Sequence, residues 1–209
     1  MAFSTDSDDT SGLLDKIAAG DSDALECLLR NHRPFLKRVI QMRMEPALRA
    51  RVDVSDVVQE TQILITKGID YFIKHRPTAF RIWIRRKGLD QLIDQRRRHI
   101  GAEMRSVLKE ENLSDVSSLA IARKMLSNTP SKILGQIEFR ERVHGLIEQL
   151  GEKHREMLVL RHAEELSNAE VADLLELDPN TARQRYGRAL RQLAQLFEEN
   201  GIGRDGLKE

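Results

Sequence analysis

Residues 166–185 read LSNAEVADLLELDPNTARQR. Ser167 and Glu170 stand at S-x-x-E spacing. In such a capping box the serine oxygen accepts a backbone N–H one turn into the helix, and the glutamate reaches back to the N-cap amide. A helix is therefore expected to begin at Asn168. Asp178 is a good N-cap, and Pro179 after it has the fixed φ and missing N–H that suit a first helical position. The second helix is expected to begin at Pro179. The space left between the helices holds only a tight turn at Glu176 and Leu177. Two short helices so joined can place the second in a DNA major groove, which makes nucleic acid the first partner to consider.

The second helix divides into two faces. Ala182, Tyr186, Ala189, Leu190 and Leu193 recur at helical spacing and are expected to face a core. Asn180, Arg183, Gln184, Gly187, Arg188 and Arg191 lie opposite. Arginine can pair with guanine edges, and asparagine or glutamine with adenine edges. The plain alternative is a solvated basic face. The capped turn and the chemistry of the face agree on DNA.

The whole chain bounds the other possibilities. It has 209 residues, enough for one large or two small domains. Aromatic residues are only 4%, and strong helix formers abound, so the composition points to helices rather than sheets. The formal net charge is +1, so a nucleic-acid surface must be a local patch balanced by acid elsewhere. A single cysteine, Cys27, rules out an internal disulfide and a cysteine-built zinc site. It lies among leucines and is expected to be a packing residue. No apolar run is long enough to cross a bilayer, and the polar, acidic start is unlike a signal peptide. A cytoplasmic protein without membrane insertion is expected.

Residues 1–12 are rich in Ser, Asp and Thr and are expected to be disordered. Asp21 or Ser22 then caps a helix carrying Leu25, Leu28 and Leu29, with Pro34 placed to kink or interrupt it. Asp53 caps the next helix, expected over about 54–69, with Val54, Val57, Val58, Thr61, Leu64 and Ile65 buried. Asp56, Gln59 and Glu60 fall elsewhere and form an acidic, amide-rich face whose plain reading is a solvated surface. A basic loop is expected over 71–77, containing Lys74, His75 and Arg76. The helical stretch 78–99 follows. Phe80, Trp83 and Ile84 share one face, and Leu89, Leu92 and Ile93 another. Gly88 sits at the change of phase, so a kink or burial on two sides is expected. This is the most basic stretch of the chain, with Arg81, Arg85, Arg86, Lys87, Arg96, Arg97 and Arg98 opposed by Asp90 and Asp94. Its arginines could neutralise phosphates, with Trp83 or Tyr71 available for base stacking, although core packing is the better reading of Trp83.

The pattern weakens over 101–135, expected to be a linker, and a second domain is expected over 136–199 with a disordered tail over 200–209. Within it Val143, Leu146, Ile147 and Leu150 follow helical spacing, and a helix over about 152–162 buries Met157, Leu158 and Leu160. His144, His154 and His162 make no metal-binding pair. No phosphate loop, nucleophile elbow or cysteine–histidine signature is present, so no catalytic residue, metal or cofactor is expected.

The order of these parts carries a resemblance. DVSDVVQET (53–61) precedes AFRIWIRR (79–86) and LIDQRRR (92–98); a linker follows, then the helix-turn-helix. Over about 13–99 and 136–198 the chain resembles a bacterial sigma factor of the extracytoplasmic-function (ECF) type. The resemblance implies an all-α fold of two small helical domains, a region-two bundle (13–100) and a region-four helix-turn-helix (136–199), joined by the linker. It implies that Asp53, Asp56, Gln59 and Glu60 lie on the surface that docks on core RNA polymerase, which reverses the plain reading of the acidic face. It implies that Lys74, His75, Arg76, Arg81, Arg85, Arg86, Arg96 and Arg97 serve the minus-ten element of promoter DNA. Asn180, Thr181, Arg183, Gln184, Arg185 and Arg188 would serve the minus-thirty-five element.

The implied function is promoter recognition, DNA melting and transcription initiation, with no enzymatic activity and no small-molecule substrate. Because such factors are commonly held inactive by an anti-sigma protein, one joins the expected partners. The sequence departs from the family at three places: Asp90 stands where an Asn is frequent, Glu176 where the turn usually has Gly, and Ala182 where Val or Ile is usual. The rival readings are a conventional dimeric helix-turn-helix transcriptional regulator and a nucleic-acid-processing enzyme that uses the Arg-rich helix to hold its substrate.

Overall fold

In the computed structural model the described residues are 6–99, 145–147 and 149–200. The expected linker over 101–135, Val143, His144 and the tail beyond residue 200 lie outside them. The chain divides into two compact units, Met1–Asp115 and Val116–Glu209. Among the described residues all regular structure is helical. None of their helices is long and apolar enough to cross a membrane.

The first unit contains α1 (Asp8–Ala18), α2 (Ser22–Arg43), the short α3 (Pro46–Arg49), α4 (Val54–His75) and α5 (Phe80–His99). Helix α1 corrects the expectation of disorder for residues 8–12; residues 1–5 lie outside the described ones. Ser7 caps it by accepting the Thr10 N–H at 3.3 Å, and Leu14 and Thr10 are buried against the rest of the unit. Composition alone missed this because a run of Asp, Ser and Thr suits a capped first turn as well as a disordered tail. Asp21 caps α2. That helix continues through Pro34, which gives up one helical hydrogen bond without ending it. The buried row Leu28, Phe35, Leu36, Val39 and Ile40 outweighs that loss.

Asp53 caps α4 as expected, but the helix runs to His75 rather than stopping near residue 69. The expected basic loop over 71–77 is thus mostly the last two turns of a helix. Buried Ile69 and Phe72 prolong its apolar face, Tyr71 stacks on His75 at 4.2 Å, and Arg76 ends it in the left-handed region at φ 36°. On the same helix Leu64 is exposed rather than in the core.

Helix α5 is buried nearly all round. Phe80, Ile82, Trp83, Ile84, Leu89 and Leu92 are all in the core. It packs on α2, α3 and α4. Trp83 is a core residue, its ring 4.8 Å from Phe72 and 5.9 Å from Phe80. Gly88 lets α5 approach α2 closely: a Cβ there would meet Leu36 Cδ1 at 2.9 Å. The phase change in the sequence therefore marks burial on two sides.

The second unit, in its described part, begins with a helical segment in which Leu146 packs with Ile147, Leu196 and Phe197. Helix α6 (Glu152–Leu158) widens into a π-turn over Val159–Ala163. The widening turns Val159 inward beside Leu160, while Leu158, expected in the core, is only half-buried. Helices α7 (Asn168–Leu174) and α8 (Pro179–Glu199) complete the unit.

His32 tests the packing of the first unit. Its Nε2 lies 3.1 Å from Thr10 Oγ1, and its ring meets Phe80 edge-on at 5.0 Å. Burial, with a smaller contribution from the Arg81 guanidinium, pushes its pKa from 6.5 down to about 4. The unfolded chain binds the proton that the fold refuses, so the stabilisation is complete above about pH 6.5 and is lost as the pH falls toward 4. Unfolding by urea at pH 7 and at pH 4.5 is expected to show a loss of about 2 kcal/mol from this histidine at the lower pH. In His32→Gln that part of the pH dependence disappears.

Candidate nucleic-acid and polymerase interfaces

The helix-turn-helix is built as its caps dictate. Ser167 Oγ accepts the Glu170 N–H at 3.1 Å, and Glu170 Oε2 accepts the Ser167 N–H at 2.7 Å. At the other end of α7, the Leu177 N–H reaches the Ala172 carbonyl at 2.8 Å and the Glu176 N–H reaches Asp173 at 3.3 Å. These two bonds make a Schellman ending, which requires a left-handed residue between them. Glu176 fills that place at φ 53°. Asp178 then caps α8 through the Asn180 and Thr181 amides. Asn168 Nδ2 donates to the Pro179 carbonyl at 3.0 Å and ties the two helix starts together. No motif at the sequence level marks that tie, since it depends on how the turn folds.

On α8, Ala182 and Ala189 are fully buried and Tyr186 and Leu193 half-buried, whereas Leu190 is 39% exposed and is not a core residue. Tyr186 Oη lies 3.0 Å from His162 Nε2 and so anchors α8 to the π-turn. Burial there, aided by Arg161, lowers the His162 pKa. Asn180, Thr181, Arg183, Gln184 and Arg188 are all exposed, and Arg185 is half-buried at the edge of their face. The first half of α8 thus presents amide and guanidinium groups on one open surface. Ala182 suits this arrangement: its small side chain, with no exposure at all, lets α8 sit close on its neighbours.

The cations around α5 are less available than their number suggests. Arg85 is 7% exposed, so it is not a surface cation beside Arg86. Arg81 lies over the Phe35 ring at 4.1 Å. Arg76 pairs with Asp15 at 2.5 Å, and Arg96 with Glu45 at 3.2 Å. Arg86 and Arg97 are exposed, but they share their stripe of α5 with exposed Asp90 and Asp94, and Arg97 lies 3.7 Å from Asp94. That stripe carries two cations and two anions. Lys74 and His75 are exposed at the end of α4, beside the open face of Tyr71, which is 62% exposed.

The acidic face of α4 is also divided. Asp56 and Gln59 are exposed, with Ile63, at 54% exposure, one turn further on. Asp53 is at the helix start, where its carboxylate accepts the Ser55 N–H at 2.6 Å, and that bond lowers its pKa. Glu60 points to α5: its Oε2 accepts from the amides of Gln91 and, at 2.6 Å, Gln95. Both glutamines are nearly buried. Among the described residues no group of three or more His, Cys, Asp or Glu side chains could hold a metal ion.

Three comparisons bear on these surfaces. The family described as "Sigma-70, region 4" matches residues 140–193, which contain the helix-turn-helix. The ECF RNA polymerase sigma-E factor of Escherichia coli K12 is 27% identical over 181 residues, covering 85% of this chain and 88% of that protein. The RNA polymerase sigma factor CnrH of Cupriavidus metallidurans is 29% identical over 177 residues, covering 80% and 88%. Over most of its length the chain is similar to ECF sigma factors, and these matches support that assignment. A solved structure of CnrH in complex with the cytosolic domain of CnrY shares the fold, with TM-score 0.50 and 23% identity over 92% of this chain and 99% of that one.

The positions that depart from those relatives' usual pattern take physical form here. Glu176 does adopt the left-handed backbone that glycine would take freely, at about 1 kcal/mol of strain. Asp90 is exposed and sets a negative charge on the open stripe of α5. Sequence reading missed Gln91 and Gln95, although their i, i+4 spacing one helix away from an acidic face was the available signal.

Glu176→Gly is expected to stabilise the second unit by about 1 kcal/mol, read as a rise of several degrees in its melting temperature. Glu60→Ala leaves the Gln91 and Gln95 amides without their acceptor and is expected to cost about 2 kcal/mol in chemical denaturation. Gln59→Ala, on the open face, is expected to change stability by less than about 0.5 kcal/mol.

Proposed function

We infer that this chain is a promoter-specificity subunit of bacterial RNA polymerase, which binds the core enzyme, reads two promoter elements and starts DNA opening. The observation that carries the reading is that the sigma-factor relatives match over 85% of the chain, far more than the helix-turn-helix alone. A conventional dimeric regulator would share the second unit only, and is not favoured. The polymerase supplies the chemistry, so the chain itself is not an enzyme, and it works in the cytoplasm where promoters are.

The surfaces divide the work. The open face of α8, with Asn180, Thr181, Arg183, Gln184 and Arg188, reads the minus-thirty-five element by pairing with base edges in the major groove. Arg185, at the edge of that face, contributes to the phosphate side. The end of α4 and the exposed cations of α5, with Lys74, His75, Arg86 and Arg97 foremost, serve the minus-ten element. Arg76, Arg81 and Arg96 reach DNA there only by exchanging their present partners. Arg85 has a packing role. Asp56 and Gln59, with exposed Ile63 beside them, dock on polymerase, with Asp53 exposed at the start of that helix and Glu60 holding the face from behind. Each DNA contact is weak alone, and tethering both to one polymerase raises their joint affinity. The CnrH structure contains the cytosolic domain of CnrY. A partner of that kind, an anti-sigma protein, is proposed for this chain too.

Reconstituted transcription tests the reading. Purified protein with core polymerase is expected to direct initiation at a subset of genomic promoters, and Arg183→Ala to weaken initiation about tenfold or more at promoters with the matching upstream base pair. If the protein neither binds core polymerase nor directs initiation on a genomic promoter library, the reading fails.

A further inference from the structure

The start of helix α5 is bonded from a distant segment. Ala79 stands just before it, and its carbonyl accepts the Trp83 N–H at 3.0 Å. The Phe80 N–H donates to Asp6 Oδ1 at 2.6 Å, across a separation of 74 residues. The other end of α5 is held from outside as well, by the Arg51 guanidinium on the His99 carbonyl.

Two further ties run from the N-terminal segment to the same place. Thr10 bonds His32, whose ring packs edge-on against Phe80. Asp15 pairs with Arg76 at 2.5 Å, the residue that turns the chain out of α4 in a left-handed conformation. The connection from α4 to α5, residues 76–79, is thus held at its first residue by Asp15 and at the helical residue that follows it by Asp6.

We propose that segment 6–18 is a bracket for promoter opening, in which Asp6 is a positioning residue that caps α5 and fixes the α4–α5 connection before DNA arrives. The proposal rests on the reading that this connection faces the minus-ten element. A segment that must capture unpaired bases loses affinity if it has to be ordered at the moment of capture, so fixing it in advance favours opening. Asp6 carries most of the effect because it satisfies a backbone donor at a helix start. The Asp15–Arg76 pair is largely solvated, and such pairs contribute little by themselves.

The test uses the full chain, free and bound to core polymerase, as wild type, Asp6→Ala and Asp6→Asn. Asparagine keeps the cap and alanine removes it. In the free protein, Asp6→Ala is expected to speed hydrogen exchange at the Phe80 amide, and Asp6→Asn to leave it near wild type. In the holoenzyme, Asp6→Ala is expected to lower open-complex formation on a duplex promoter about three- to tenfold, the range a lost cap implies. On the same promoter with its minus-ten region already mismatched, the loss is expected to shrink, and affinity for core polymerase is expected to stay at the wild-type value. Asp15→Ala, which leaves the cap in place, is expected to shift the duplex-to-mismatched ratio the same way by less.

Unchanged exchange at Phe80 in Asp6→Ala overturns the cap. Equal losses on both templates, in step with weaker core binding, overturn the positioning role and leave a structural one. If exchange responds as expected but the wild type directs no initiation, the sigma-factor reading fails and the promoter role falls with it, while the cap stands.

Discussion

Burying α5 on all but one stripe is the constraint around which the first unit is arranged. This helix carries the most arginine of any stretch in the chain and also the central apolar residues Phe80, Trp83, Ile84 and Leu92. A charged side chain next to a core must be paired, stacked or led to the surface. Each solution appears here: Arg81 on Phe35, Arg96 with Glu45, and Arg86 in solvent. Glu60 reaches in from α4 to satisfy Gln91 and Gln95, so the acidic face of α4 is bonded to the Arg-rich helix α5. A residue that looks like part of a docking face thereby also holds the bundle together.

The second unit follows from more local rules. Its helix starts and stops are written in neighbouring residues: Ser167 with Glu170, and Asp178 with Pro179. The turn between them needs one left-handed residue, and Glu176 takes it despite the cost. Caps on both helices and the Asn168–Pro179 tie hold the turn in that conformation. The open face of α8 follows from helical spacing once Ala182 and Ala189 are fixed in the core.

That difference explains what the sequence made legible. The helix-turn-helix could be read almost residue by residue, with Glu176 marked as the turn position where Gly is usual, because its determinants lie within a few positions of one another. The α5 surface could not. Counting arginines treats each as exposed, whereas the fate of Arg85 depends on how tightly α5 is enclosed, and that depends on Gly88 meeting Leu36 across two helices. The helical ends of α1 and α4 were missed for a similar reason. Asp8 to Thr10 and Tyr71 to His75 look polar in sequence, but Thr10, Leu14, Ile69 and Phe72 bury against other helices and draw their neighbours into regular structure. Long-range side-chain contacts, such as Asp6 on the Phe80 amide, leave no pattern in one sequence.

The claim that burial, not charge count, decides which α5 cations meet DNA is tested most directly at two adjacent residues. The measurement is the salt dependence of promoter binding by polymerase carrying Arg85→Gln or Arg86→Gln. Each cation that neutralises a phosphate adds about one to the slope of log affinity against log salt. Arg86→Gln is predicted to reduce the slope by about one, and Arg85→Gln to leave it unchanged while lowering the melting temperature. A reduction by Arg85→Gln equal to or larger than that of Arg86→Gln would contradict the account.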